Sequence, residues 1–486
     1  MANADKAKQT LQANYMVNYE ILPAEVDSLR DIFTEGMIYG RLRSNWFFYQ
    51  YENENIAKGQ ENQNILGLGG NLIYKTAPYA GFSATAGLYY TSAGTGLDNQ
   101  PSDVGNLKAG RDVIERYNAV NGKGKSYAVL AQSYLQYESD GLKLRYGREV
   151  FNSFYTKSND SKMIPNTFEG FTLESKEFKK TRIRAAYLTR QKLRNHDNFH
   201  SVIMYDDRTS EQAGVNEPSW YENDDSAIHQ GLNYTNFLKH GQDMNPALMV
   251  LDGYTRSILE TDMKVSASSM YIKDLFYSAM LELNYSFDLG NGYRLTPGVR
   301  YVQQFDDGAG KIGGAALTGK AATDEDGGNA LARAAYSDPD SVDTYMTAAR
   351  LTLKKNAAEI GLGYTNIADK ADFITPWRGF VTSGYTREMA RYNWVANTET
   401  WRLRGSFDFG KANIISGLRT YMSFTQENYD EEKKPNADAN IYYFGLIKDV
   451  EKVPNMSFRL RTEYVEQTAA NTNDHTELRM ELNYLF

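Results

Sequence analysis

The sequence predicts an all-β chain folded as a closed antiparallel transmembrane β-barrel of about eighteen strands around a water-filled lumen. Three observations carry that expectation. Segments of about ten residues alternate apolar and polar side chains repeatedly along the chain. Tyrosine is used 36 times, and its apolar ring with a polar tip is favoured at membrane–water interfaces. No stretch approaches the ~18 consecutive apolar residues of a membrane-spanning helix, which excludes a helical membrane protein.

The rest of the composition narrows the class. No Pro-rich or Ser-rich linker divides the 486 residues into separate domains. The absence of Cys suits export through an oxidising compartment. The polar start Met1-Ala-Asn-Ala has no apolar run, so either an export signal has been removed and a start Met added or the chain was never exported; the barrel features favour the first. The expected location is therefore the bacterial outer membrane. The net charge of −8 does not point to nucleic acid. Beneath it, acids gather in turn-rich stretches while Arg recurs inside strand-like ones.

In chain order, residues 1–35 stand apart from the barrel pattern and read as an N-terminal periplasmic extension. After Pro23, the residues Val26, Leu29, Ile32 and Phe33 recur at helical spacing. That gives a short amphipathic helix, or an extension packed in the barrel mouth; a loosely ordered leader is the alternative.

Residues 36–486 read as the barrel. Leu281, Leu283, Tyr285, Phe287 and Leu289 alternate with Glu282, Asn284, Ser286 and Asp288. Tyr293, Leu295, Val299 and Tyr301 alternate with Arg294, Thr296, Gly298 and Arg300. Trp401, Leu403, Phe407 and Phe409 alternate with Arg402, Arg404, Ser406 and Asp408. In the closing run Glu477–Phe486 the even positions are apolar and the odd ones polar until Leu485. Successive strand side chains point to opposite faces, so each segment has one greasy and one wet face. One such segment could belong to a soluble sheet; the repetition is the barrel signature. The pair within Pro246–Ser269 has the poorest alternation.

The connections agree. Short turns, such as Glu138-Ser139-Asp140-Gly141 and Leu289-Gly290-Asn291-Gly292, alternate with long polar loops at Ser92–Ser126, Gln191–Asn245, Asp306–Val342 and Ala368–Ala396. Short periplasmic turns and long extracellular loops are the expected arrangement. Closure is obligatory, because an unpaired strand edge in lipid has no water to satisfy its N–H and C=O groups.

The chemistry-bearing candidates are lumen arginines. By parity with their apolar neighbours, Arg41, Arg43, Arg145, Arg182 and Arg184 face inward. The same test turns Arg300, Arg350, Arg402, Arg404, Arg459, Arg461 and Arg479 into the lumen. On the lipid face an Arg costs roughly 2–4 kcal/mol at the bilayer midplane. A guanidinium stays ionised and matches a carboxylate with two donors. A series of them gives an anion several weak stations, as conduction requires. The structural alternative is bracing, since Glu282, Glu359, Asp408, Glu463 and Glu481 face inward too and can pair with them.

One loop stands out. Ser158-Asn159-Asp160-Ser161-Lys162-Met163-Ile164-Pro165-Asn166-Thr167-Phe168-Glu169-Gly170 follows the strand Leu144-Arg145-Tyr146-Gly147-Arg148 and leads into Tyr187-Leu188-Thr189-Arg190. This run resembles the third strand pair and loop of the OprD-type substrate-selective porins, also called outer-membrane carboxylate channels. Trp401–Phe409 and Leu283–Gly292 resemble the same family, and weaker similarity spans most of residues 36–486. The start Asp31–Gly36 resembles major porins of epsilonproteobacteria. The resemblance implies an eighteen-stranded barrel whose third loop folds inward as the constriction, with an arginine ladder leading carboxylate-bearing substrates through it. Asn159, Asp160, Ser161 and Lys162 are then the constriction residues. Lys162 stands where the family usually has Arg: cationic, but without the planar fork. Turn chemistry alone could also account for Ser-Asn-Asp-Ser.

Other constellations are weak. Asp324-Glu325-Asp326-Gly327-Gly328-Asn329 lacks the ligand spacing of a calcium loop and reads as a solvated acidic loop. His196, His200, His229, His240 and His475 show no metal-ligand spacing. Gly67-Leu68-Gly69-Gly70 lies within a strand and reads as a close-packing site. No metal and no cofactor are expected. The function expected is passive diffusion of small hydrophilic solutes through an arginine-lined pore, favouring anionic or carboxylate-bearing ones. The partners are those solutes together with the lipid and lipopolysaccharide of the outer membrane, and the barrel is a monomer or homotrimer. The alternatives are a general non-selective porin, an adhesin-like barrel, and an outer-membrane hydrolase. For the last, His200 and Ser201 are the nearest pair, and adjacent residues on an extended chain point apart.

Overall fold

Side-chain alternation decides which face of each strand meets lipid, and the sheet that results closes on itself in the computed structural model. The structure describes residues 8–95, 110–120, 123–178, 180–208, 227–258, 260–389, 391–433, 437–469 and 472–486. Nineteen strand segments, from Met37–Tyr51 to His475–Leu485, pair antiparallel with their neighbours in sequence order. The last then pairs with the first, from His475 opposite Tyr51 to Leu485 opposite Arg41. Phe276–Tyr285 and Phe287–Gly290 are one strand interrupted at Ser286, so the barrel has eighteen strands. The interruption falls where the neighbouring strand carries Pro297, which has no N–H to donate. No helix among the described residues is long and apolar enough to cross a membrane.

The facing follows the pattern. Leu42, Leu72, Tyr146, Leu403, Met422 and Tyr442 are exposed on the outer wall. Along His475–Leu485 the odd residues are buried inside, including Glu477, Arg479, Glu481 and Asn483. The poorly alternating pair is two regular strands, Leu248–Thr255 and Met263–Ile272. Small side chains such as Gly253, Ala267 and Ser269 blur its contrast.

The lumen is filled unevenly. Loop segments 193–208, 227–247, 307–343, 368–389 and 391–398 fold over one half of the barrel and bury an apolar core there. Phe237, Ile312, Phe373, Trp377 and Trp394 from these loops pack on Leu188, Leu248, Met270, Val302 and Met346 of the wall. A smaller cluster seats Val113, Ile114, Met163 and Ile164 on Phe47, Ile65 and Tyr89. A cavity is left against the strands from Glu399–Asp408 round to Met37–Tyr51. One outer connection is short rather than long: Lys273-Asp274-Leu275 turns tightly, with Asp274 at φ 58°. Neighbouring loops cover that rim, and Leu275 is buried under them.

The N-terminal region differs from the helix expected across residues 26–33. Only Asp31–Thr34 forms a helical turn, and its N-cap Arg30 makes no side-chain cap. Its backbone groups serve the rim instead. Val26 N–H donates to Pro78 O at 2.9 Å, and Ala77 N–H donates to Ile32 O at 2.9 Å. Upstream, Gln9–Leu11 and Val17–Tyr19 pair as a small hairpin inside the barrel mouth, a feature that short, mixed-polarity strands do not announce.

Candidate functional site

The site begins with the third outer loop, residues 150–166, which turns inward after the strand Leu142–Glu149. Asp160 anchors it. Arg41 Nη1 lies 2.7 Å from one Asp160 oxygen and Arg43 Nη1 2.5 Å from the other. Arg41 also donates twice to Asn483 Oδ1, at 3.0 and 2.7 Å. Asn45 Nδ2 donates to Lys162 O at 2.6 Å, and Asn159 takes φ 41° at the bend, a backbone state Asn tolerates. Gly67 makes room: a Cβ there would sit 2.9 Å from Val113 and 3.2 Å from the Met163 sulfur.

Between this loop and the opposite wall runs a cavity of about 700 Å³. Asn159, Ser161 and Lys162 form its loop side. Arg402, Arg404, Arg461 and Arg479 project from the wall. Arg194, Arg378 and Arg387 reach in from the covering loops. Against these eight cations stand three acids, Asp112, Glu388 and Glu477. Arg402 Nε lies 3.0 Å from Glu388 and donates from Nη1 to Arg387 O at 3.0 Å. Arg404 pairs with Glu359 at 2.7 Å, Arg461 with Glu481 at 3.2 Å, and Arg479 with Glu477. Lys162 Nζ is 3.7 Å from Asp112 and 4.6 Å from the Phe47 ring centre. Burial, and then the nearby Arg479, hold its ammonium well below the ordinary lysine range.

The other predicted arginines lie elsewhere. Arg145 and Arg41 border a second cavity of about 650 Å³ below the loop, with Arg145 paired to Glu149 at 2.9 Å. Arg300 and Arg350 both grip Glu282, at 2.5 and 3.0 Å. They also donate to the carbonyls of Val381, Ser383 and Gly384, tying loop 368–398 to the wall. Arg184 pairs with Asp252 at 2.8 Å and donates to Asn152 O. Arg182 shares its face and feels the charge of Glu174. Arg459 is buried and donates to Gln12 O at 2.6 Å and Ala13 O at 3.1 Å. The twelve arginines therefore divide. Arg402, Arg404, Arg461 and Arg479 line the first cavity, Arg41 and Arg145 the second, and most of the rest brace loops.

Parity could not find Arg194, Arg378 and Arg387, because they sit in loops with no alternating neighbours; only a Trp377-Arg378-Gly379 or Thr386-Arg387-Glu388 cluster signals them. The acidic turn Asp324–Asp326 is not fully solvated as expected. Asp326 is buried, 2.7 Å from Lys239 and 3.2 Å from His240, and its neighbour Glu325 stays outside. His200 turns one ring nitrogen to His196 and the other to the carbonyl of Ser201, not its hydroxyl.

A closed eighteen-stranded barrel with an apolar outer belt, an inward third loop and a polar passage is an outer-membrane channel for small solutes. The family model for outer membrane porins of the OprD family matches residues 135–486, and the chain belongs to that family. Such proteins are channels of the outer membrane, not enzymes. No curated protein matches the sequence. Among solved structures, OccAB1 of Acinetobacter baumannii is similar with a TM-score of 0.68 at 14% identity, covering 95% of this chain and 99% of that one. OccK9 (OpdG) of Pseudomonas aeruginosa gives 0.67 at 16%, covering 94% and 99%. OpdK of the same organism, solved with vanillate, gives 0.63 at 12%, covering 92% and 98%. At these identities the likeness concerns the fold.

Proposed function

We propose that the barrel conducts small hydrophilic solutes passively and favours anionic, carboxylate-bearing ones. The observation that carries this reading is the charge of the main passage: eight basic and three acidic side chains around one cavity. Arg402, Arg404, Arg461 and Arg479 on the wall, with Lys162 on the loop, are the selectivity residues in this reading. Each guanidinium already leans on an acid, so it offers an anion partial, exchangeable donors rather than a trap, which favours passage over retention. Vanillate, the ligand in the OpdK structure, is itself a carboxylate. Residues 1–35 serve as a periplasmic extension, and the outer belt meets lipid and lipopolysaccharide, whether the barrel stands alone or as a homotrimer.

The test is reversal potential across a planar bilayer in asymmetric salt, with liposome swelling in neutral, anionic and cationic solutes. The parent channel is expected to pass anions preferentially. Arg402→Gln with Arg404→Gln is expected to move the permeability ratio toward unity while conductance persists. Equal anion and cation permeability in the parent would reject the selectivity reading and leave a general porin.

A further inference from the structure

The hairpin Gln9–Leu11/Val17–Tyr19 is neither wall nor outer loop. It enters the lumen from the side of the short turns, and its tip residue Tyr15 borders both large cavities, of about 700 and 650 Å³. The third loop lies at the same partition: Asn159 and Ser161 face the first cavity, Ser158 and Asp160 the second. Tyr15 is buried, with its ring 4.5 Å from the Arg459 guanidinium and 5.0 Å from that of Arg461. It takes φ 69°, a left-handed state that a bulky non-glycine side chain rarely adopts. Arg459 holds the turn by the carbonyls of Gln12 and Ala13. Farther back, the Gln9 amide donates to Gly40 O at 2.6 Å and to Phe486 O at 3.2 Å, bridging the barrel seam.

Polar contacts of this kind in a wet lumen release more easily than strand ladders or an apolar core. Tyr19 adds to the hold, with its ring centre 4.7 Å from that of Tyr39 and 4.4 Å from the Lys75 ammonium, and so does the Tyr39 hydroxyl on Ile21 O at 2.6 Å. The lumen wall behind the hairpin is already complete, because Met37–Tyr51 pairs fully on both sides without it.

We infer that this N-terminal hairpin is a plug in the periplasmic mouth, with Tyr15 as the pore-narrowing residue that separates the two cavities. Tyr15 thus sets conductance and the solute size limit from below, opposite the third loop. The proposal needs only that the chain is a channel; it stands apart from anion selectivity.

Single-channel recording tests it on the full chain. Tyr15→Ala is expected to raise conductance and admit larger neutral sugars in liposome swelling. Removal of residues 8–22 is expected to do more, to about twofold if the second cavity joins the conducting path. Because the chain has no native Cys, the pair Tyr19→Cys and Tyr39→Cys, bridged by a short bis-methanethiosulfonate reagent that fills the space left by the two rings, can lock the hairpin to the wall. Bridged channels are expected to stay in a small-conductance state, and reductant to release larger openings. Should the deletion variant not fold, Tyr15→Ala and the cysteine pair decide. Unchanged conductance and size limit in Tyr15→Ala, with no redox effect in the locked pair, would overturn the proposal.

Discussion

At the residue scale, partner geometry separates two arginines that look identical in sequence. Arg43 and Arg404 are both inward by parity. Arg43 is almost wholly buried between Asp160, the Met163 carbonyl and Glu481, whereas the Arg404 side chain keeps 38% exposure on the passage. Asp160→Asn is expected to leave two buried guanidinium groups short of a counter-charge. Breaking a buried pair costs about 3–5 kcal/mol, so a marked fall in thermal midpoint is expected, together with noisy currents from a loosened third loop. An unchanged midpoint would mean that Asp160 is not the anchor. Parity made facing legible, since it depends only on alternation. Which inward arginine braces and which lines was not legible, because the acids and carbonyls that decide it lie tens to hundreds of residues away.

At the element scale, loops are the least legible part of the chain and hold much of its chemistry. The third loop could be located by its motif, but Gly67, which makes room for it, lies on a different strand. Gly67→Val would press on Val113 and Met163, and overpacking of this sort costs about 1–3 kcal/mol. The expected readout is faster proteolysis of loop 150–166 with the barrel intact by circular dichroism. Loop 193–247 contains a second sensitive point. His229 Nε2 lies 2.8 Å from Gly314 O, and Gly231 N–H donates to Nδ1 at 3.2 Å. Burial pushes the imidazole down to about 4 from an ordinary 6.5. The unfolded loop then binds the proton more readily than the folded one. Stability is full above about 6.5 and falls as pH drops toward 4, by on the order of 3 kcal/mol at full titration. Amide exchange across residues 227–232 and 309–317 is expected to quicken at pH 4.5 relative to pH 7, and His229→Asn to abolish that difference. Equal exchange rates at both pH values in the parent would refute the linkage.

At the scale of the whole molecule, strand number and closure were readable because lipid forces every strand into the same alternating pattern. The lopsided filling of the lumen was not. It arises from Trp377, Trp394 and Phe373, apolar residues in segments that sequence reads simply as long loops. In the selectivity reading proposed above, the excess cations around the first cavity act as a field as well as through contacts, and salt screens a field. The Debye length falls from about 10 Å at 0.1 M to about 3 Å at 1 M. Anion preference measured by reversal potential is therefore expected to shrink steadily across that range. A preference independent of salt would mean that direct contacts, not the field, do the sorting.

The seam between the first and last barrel strands also bears on assembly. Arg41 meets Asn483 across 442 residues of chain, and Arg43 reaches Glu481 over the same join. Long-range pairing of this kind is slow to form, since the chain entropy is lost before the contacts exist to offset it. Glu481 pairs with Arg461 only once Met456–Gln467 and His475–Leu485 have met, and Asp160 finds Arg41 and Arg43 only on a wall that has begun to close. A half-inserted barrel is thus an open sheet with neither an enclosed lumen nor a seated third loop. Transport competence is therefore expected only once the seam has closed, and a membrane accumulating unfinished copies is expected to gain no leak of the finished channel's character.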